Sequence, residues 1–273
     1  MEDRINREQL KKTFGDTLAI ELFEEIDSTN EEAKRRLRRG QTEKALLLAE
    51  SQTAGRGRVG HSFYSPKYTG IYLSLVYPVP ENDENLLRIT AKAAVAVVEG
   101  IQSRTNVALS IKWVNDIYIG NKKVAGILTE HVSVSPHQNF VIVGIGVNVT
   151  TPFFPGDLVG KATSLNPFGD TENRFDPFRP TRTGYISAIT EALLYELDHL
   201  SDTSYLTIYR EYSNVLGHEI SYESYGENGE PGNRKTGTAL EIDDDGALVV
   251  LRCDGTLDRL TSGEIRVRAL EGV

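Results

Sequence analysis

The chain has 273 residues, 39% of them hydrophobic and 25% charged, which fits a globular protein with one large domain and one small one rather than a disordered or fibrous chain. Its net charge of -9 excludes non-specific nucleic-acid binding over the whole surface, so an anionic ligand must be held by a local basic cluster. A lone Cys253 excludes an internal disulfide, and neither the opening MEDRINREQLKKTFGD nor any later run has the apolar stretch of a signal peptide or a membrane span, so an inert thiol in a cytoplasmic protein is expected.

The first predicted element is a helix: Ser28-Thr29-Asn30-Glu31-Glu32-Ala33 followed by KRRLRRG has capping residues, early acids, late bases and a terminal Gly40. ALLLAE over 45–50 reads as a buried strand and GIYLSLVY over 70–77 as a second, with a glycine-rich loop between them. Periodicity and alanine content predict a core-facing helix over 86–104. Three strands are expected over 109–113, 123–131 and 140–149, separated by turn signals at Asn115-Asp116, Gly120-Asn121 and Pro136. The proline- and glycine-rich stretch 152–180 reads as a surface connection, and 184–200 and 205–214 as two more helices. From Gly217 onward, short β-like runs broken by GENGEPGN, DDDG, CDG and TSGE indicate a small β-barrel-like module.

Gly55-Arg56-Gly57-Arg58-Val59-Gly60 satisfies the GxGxxG pattern of dinucleotide-binding loops. A Rossmann loop opens a helix, however, whereas this one leads through HSFYSPKYTG into a strand, with Pro66 blocking any helix. The arginines offer another reading. Glycines let backbone N–H groups approach an anion while Arg56 and Arg58 supply planar, permanently charged forks for phosphate or carboxylate. A solvated basic turn is the plain alternative. Lys112-Trp113-Val114-Asn115-Asp116 ends a strand, where Lys112 and Asp116 could face the same cleft; Asp116 reads equally as a turn aspartate, and Trp113 as core packing. Lys123 precedes the apolar run VAGIL, whose Gly126 permits close approach of a ligand on the sheet, although a strand-flanking surface lysine has the same look. Gly144-Ile145-Gly146-Val147-Asn148 is either a second such approach or a structural turn, and helix capping alone accounts for Ser28 and Thr29.

In this order, DSTN, ESQTAGRGRVG, FYSP, KWVND, KVAGIL and GIGVN resemble the biotin protein ligase family, and GTALEIDDDGALVV and SGEI resemble its terminal module. The resemblance runs from about residue 20 to the C-terminus. It implies an α+β fold, a mixed sheet backed by helices over 1–215, followed by an SH3-like barrel over 216–273. It also implies activation of biotin with ATP to biotinyl-5′-AMP, release of pyrophosphate, and transfer of biotin to a lysine of a biotin carboxyl carrier protein domain of a carboxylase. ATP with Mg²⁺ and biotin would be substrates, without a prosthetic group or a protein metal site. DNA and membrane are not expected partners, repression is not expected, and the chain would be a monomer or a homodimer.

By the same resemblance, Ser28, Thr29, Asn30 and Gln52 hydrogen-bond the biotin head group and neighbouring atoms. Gly55, Arg56, Gly57 and Arg58 form a loop closing over the ligand, Gly126 lies against biotin, and Lys123 meets both the biotin carboxylate and the α-phosphate. Phe63 lies near the adenine, and Lys112, Asn115, Asp116 and Asn148 serve the nucleotide. Arg56, Lys112, Asp116 and Lys123 form the expected catalytic set, with Asp116 orienting or deprotonating the acceptor lysine. Attack of a carboxylate on a phosphorus with pyrophosphate leaving crowds negative charge, which fixed cations offset. The chain departs from the family pattern at Val114, where many relatives carry proline, at His61, where many carry a second base, and at Leu240, where some carry arginine. Lipoate or octanoate ligation within the same superfamily and a non-catalytic biotin-sensing protein are the competing readings.

Overall fold

The computed structural model describes residues 3–80, 85–166, 180–225, 231–261 and 265–269. Its main element is a seven-stranded sheet of β1 (Ala19–Phe23), β2 (Ala45–Ala49), β3 (Gly70–Val79), β4 (Ser110–Lys112), β5 (Asp116–Ile119), β6 (Lys122–Ser135) and β7 (Gln138–Asn148), in the order β1-β2-β3-β7-β6-β5-β4. β1 and β2 are parallel, with helix α2 (Thr29–Arg38) between them in the chain, and every other neighbour is antiparallel. This is the expected mixed sheet.

Side chains alternate across a strand, so an unbroken apolar run must be covered on both faces. Leu46 and Leu48 of β2 join the large core built with α1 (Arg7–Phe14), α3 (Leu86–Gln102), α4 (Arg182–Asp198) and α5 (Tyr205–Tyr212). Ala45 and Leu47 instead meet Ala33 and Leu37 of α2. In β7, Val141, Val143, Ile145 and Val147 enter the large core while Phe140 and Ile142 face α2. Gly144 and Gly146 continue that α2-facing row without side chains. There the sheet is bare.

α1, β1 and β5 are additions to the predicted elements. In α1 only Leu10 and Phe14 are buried, a single i,i+4 pair that is too short to display a helical period. β5 is four residues, DIYI, inside a hairpin whose register shifts between Ile117 and Tyr118, so its turn residues dominate the pattern.

The C-terminal strands β8 (Glu219–Tyr225), β9 (Pro231–Ile242), β10 (Leu248–Arg252), β11 (Leu257–Leu260) and β12 (Ile265–Ala269) form an antiparallel sheet in the order β11-β10-β9-β8-β12. Among the described residues β11 and β12 are its two edges, so the expected closure into a barrel is not part of the described structure. Ile220, Tyr222, Ala239, Ile242, Leu248 and Val250 of this sheet are buried in continuity with the main core. Two polar contacts reinforce the junction: Arg210 donates to the carbonyl of Ile242, and Trp113 Nε1 donates to the carbonyl of Gly246 at 2.9 Å. No helix among the described residues is long and apolar enough to cross a membrane.

Arg182 ties four segments together. Its fully buried guanidinium donates to the Asp3 carbonyl, to the Gly70 carbonyl at 2.9 Å and to Glu50 Oε2 at 2.7 Å, while Glu50 Oε1 accepts from the Ile5 backbone N–H at 2.9 Å. Truncating one partner of such a pair strands the other charge in the interior. Arg182→Met is expected to lower unfolding stability by about 3–5 kcal/mol in urea denaturation.

Candidate active site

A cavity of about 380 Å³ opens over the bare part of the sheet, within the size range of small-ligand sites. Its floor is a patch of glycines: Gly146 pairs with Gly126 and Tyr72, and Gly144 with Leu128 and Ser74. A Cβ on Gly144 would land on the side-chain oxygen of Asn30, and one on Gly146 would lie 2.6 Å from Phe63 Cε1. Close packing against these two positions therefore requires glycine.

The start of α2 supplies one wall. Ser28 is the N-cap, its hydroxyl accepting from Glu31 N–H, and Ser28, Thr29 and Asn30 are all buried. Thr29 N–H and Oγ1 donate to Gln52 Oε1 at 2.9 and 3.2 Å, and Gln52 Nε2 donates to Ser65 Oγ at 3.0 Å. The fully buried Ser74 hydroxyl lies 2.7 Å from Thr29 Oγ1 and 2.5 Å from Asn30 Oδ1, and Asn30 Nδ2 donates to Glu130 Oε2 at 2.8 Å. Each amide is thereby fixed in one orientation, so the wall presents a set pattern of donors and acceptors. Ser65, Ser74 and Glu130 were not among the predicted site residues; the signal for Ser74 is its place as the one small polar residue in the strand GIYLSLVY.

The loop carrying the arginines folds back on itself, with Gly57 N–H donating to the His61 carbonyl at 2.7 Å and Phe63 N–H to the Gly55 carbonyl at 2.9 Å. Arg56, Gly57, Arg58, His61 and Phe63 line the cavity, and the Phe63 ring meets Tyr72 edge to face. Gly55 lies behind the wall, where a Cβ would come within 2.6 Å of Ser65 Oγ. Arg58 Nη1 donates to Asn115 Oδ1 at 3.0 Å, while its Nη2 is buried and has no hydrogen-bond partner among the described residues. Burial pulls this guanidinium below its usual pKa, and the Asp116 carboxylate opposes the shift; arginine stays charged regardless. A buried, charged donor with an open valence is a site for an anion.

The opposite wall is the end of β4 and the adjoining hairpin. Lys112, Trp113, Asn115, Asp116, Lys123 and Gly126 all line the cavity. Asn115 is locked to β6 by two bonds, its Nδ2 donating to the Ile127 carbonyl and its own carbonyl accepting from Ile127 N–H, both at 2.9 Å. Lys123 Nζ pairs with Asp116 Oδ1 at 2.7 Å. Lys112 Nζ lies 5.5 Å from the ring centroid of Tyr118, whose phenol burial pushes up to about 12. The Trp113–Val114 peptide is cis. Trp113, read from the sequence as core packing, is 4% exposed and also forms part of the wall.

Asn148 lies outside the wall. Its Nδ2 donates to the Thr163 carbonyl at 3.1 Å, and its Oδ1 is buried without a partner among the described residues. It anchors a loop that clips Lys123: Lys123 N–H donates to the Lys161 carbonyl at 2.8 Å and Thr163 N–H to the Lys123 carbonyl at 2.9 Å. Leu158 of this loop reaches the cavity, a contact with no sequence signal. Leu240 is exposed on the β9 bulge and is not a lining residue.

Residues 22–148 match the biotin/lipoate A/B protein ligase family. The chain is 39% identical over 143 residues to the bifunctional ligase/repressor BirA of Bacillus spizizenii, covering 52% of this chain and 44% of that protein. It thus spans under half the length of that relative. It is 29% identical over 261 residues to the biotin–[acetyl-CoA-carboxylase] ligase of Mycobacterium tuberculosis, covering 91% of this chain and 89% of that one. The structure superposes on the biotin protein ligase of Aquifex aeolicus solved with biotin and ATP, with a TM-score of 0.71, 27% identity, and coverage of 92% of this chain and 99% of the other. The matched segment holds the whole glycine floor, both arginines of the loop and the Lys123–Asp116 pair, so the candidate site falls within the residues that match the biotin/lipoate A/B protein ligase family.

Proposed function

We propose that this protein is a biotin protein ligase. The observation carrying the reading is a single cavity in which Arg58, with its open Nη2, stands with Arg56, Lys112 and Lys123 beside a wall of orientation-locked Thr29, Asn30 and Gln52. One side suits a small polar head group, and the other suits a carboxylate meeting a phosphate. An oxygen of the biotin carboxylate attacks the α-phosphorus of ATP, the bond to the β-phosphate oxygen breaks, and pyrophosphate leaves with Mg²⁺, which enters as part of the ATP substrate. Arg58 and Lys123 offset the charge at the mixed anhydride, Arg56 and Lys112 flank it, and Phe63 and Asn115 serve the adenosine side.

In the second half-reaction the amine of an acceptor lysine attacks the anhydride carbonyl, forming an amide and releasing AMP. Holding that amine neutral at pH 7 costs about 4 to 5 kcal/mol from a reference pKa of ~10.4, and Asp116, paired with Lys123 in the cavity wall, orients the amine or takes its proton. The acceptor is a biotin carboxyl carrier domain, and the C-terminal sheet from residue 216 is an SH3-like unit attached to a catalytic unit over 1–215; its antiparallel strand order supports this.

The test is ATP–pyrophosphate exchange with the purified chain, ATP and Mg²⁺, and biotin, lipoate or octanoate supplied singly. Exchange with biotin alone is expected. Exchange only with lipoate or octanoate would assign the chain to the other branch of that family, and no exchange with any acid would leave a binding protein.

A further inference from the structure

Two site residues on different elements are held by carboxylates that do not line the cavity. Arg56, on the loop, pairs through Nη1 with Glu31 Oε1 at 2.7 Å. Asn30, on the wall, donates through Nδ2 to Glu130 Oε2 at 2.8 Å. One ammonium joins the two: Lys34 Nζ lies 2.9 Å from Glu31 Oε1 and 2.6 Å from Glu130 Oε1. Lys34 sits one helical turn beyond Asn30 and Glu31 on α2, so its side chain lies on the same helix face. At 17% exposure it is more enclosed than Glu130 at 25%.

We propose that Lys34 is a positioning residue that couples the arginine loop to the head-group wall: by neutralising Glu31 and Glu130 together, it lets Glu31 hold Arg56 and Glu130 hold the amide of Asn30. With the amide nitrogen committed to Glu130, Asn30 must turn its oxygen toward Ser74, so the polarity that the wall shows a ligand is set from outside the cavity. Without Lys34, Glu130 loses its ion pair and two part-buried carboxylates on adjoining elements face each other with only Arg56 paired to one of them. Repulsion then moves one or both, and either movement releases a site residue. The Lys34 ammonium, the largest influence favouring the ionised form, holds the Glu31 carboxyl below the usual carboxylate range.

The inference rests on the proposed biotin chemistry for one of its two readouts. The first readout is the KM for biotin in pyrophosphate exchange; the second, which needs no turnover, is the rate of tryptic cleavage after Arg56 in the ligand-free protein. Lys34→Met is expected to raise the KM about tenfold, the loss typical of a charge-assisted hydrogen bond, with kcat held within about threefold, and to speed cleavage; Lys34→Arg keeps both pairs and both wild-type values. The arms separate in Glu31→Gln, which speeds cleavage, and Glu130→Gln, which raises the KM and leaves cleavage at the wild-type rate; these two decide the matter if Lys34→Met does not fold. Wild-type KM and cleavage rate in Lys34→Met, or equal shifts of both readouts in the two glutamine variants, would overturn the coupling. Absence of biotin-dependent exchange in the wild type would instead overturn the proposed function, and the cleavage rates would still test the link.

Discussion

Lys123→Ala is expected to lower kcat/KM for biotin-dependent pyrophosphate exchange by about 10²- to 10³-fold, the cost of removing one fixed group that meets charge developing in a transition state. The backbone of Lys123 is clipped on both sides, by the Lys161 carbonyl at 2.8 Å and by Thr163 N–H at 2.9 Å, so truncating the side chain leaves the strand in place. Only the ammonium is lost. Its position depends on Gly126, since Lys123 Cε and Nζ lie 3.0 Å from where a Cβ on that glycine would stand. Lys123→Arg is therefore a partial rescue at best, because a planar fork does not fit a space shaped for a point charge beside Asp116. Labelled-pyrophosphate exchange on the two variants measures this directly, and undiminished exchange in Lys123→Ala would remove Lys123 from the reaction.

The second large effect is steric. Gly144→Ala is expected to raise the KM for biotin about 10- to 100-fold, because the new methyl group meets the Asn30 side-chain oxygen and must displace it; overpacking a site that cannot relax costs about 1–3 kcal/mol. Asn30 has little room to yield, held as it is by Ser74 and Glu130. Gly146→Ala meets the Phe63 ring instead, so its larger effect should fall on the KM for ATP. The two neighbouring glycines thus divide the floor between the two substrates, and comparing the two KM values in each variant checks that division. An equal loss on both substrates in both variants would point to general damage of β7.

Much of the site was legible because its residues break local patterns. Gly126, Gly144 and Gly146 lie inside the apolar runs VAGIL and FVIVGIGV, and Lys123 stands directly before the first of them; a bare or charged spot at such a run needs a reason. Period-two alternation then explains which face they share: Phe140 and Ile142 pack on α2, and the two glycines after them in the same row face the cavity. The contacts that hold the site were not legible, because they join segments far apart in the chain. Nothing local marks Glu130 as the partner of Asn30, one hundred residues earlier, or Arg182 as the fastening of Glu50. The place of Asn148 outside the wall was hidden for a related reason. It ends the same strand as the glycines, but its amide nitrogen is turned to the Thr163 carbonyl in the loop beyond it.

Trp113 is the only tryptophan in the chain. Its ring lies in the cavity wall between Lys112 and Asn115, while its Nε1 is bonded to the turn of the C-terminal sheet at Gly246. The molecule therefore carries a built-in optical probe at the joint between its two sheets. Its indole fluorescence has one source, so a ligand entering the cavity and a loosening of the C-terminal sheet both act on the same ring, and no label is needed to observe either.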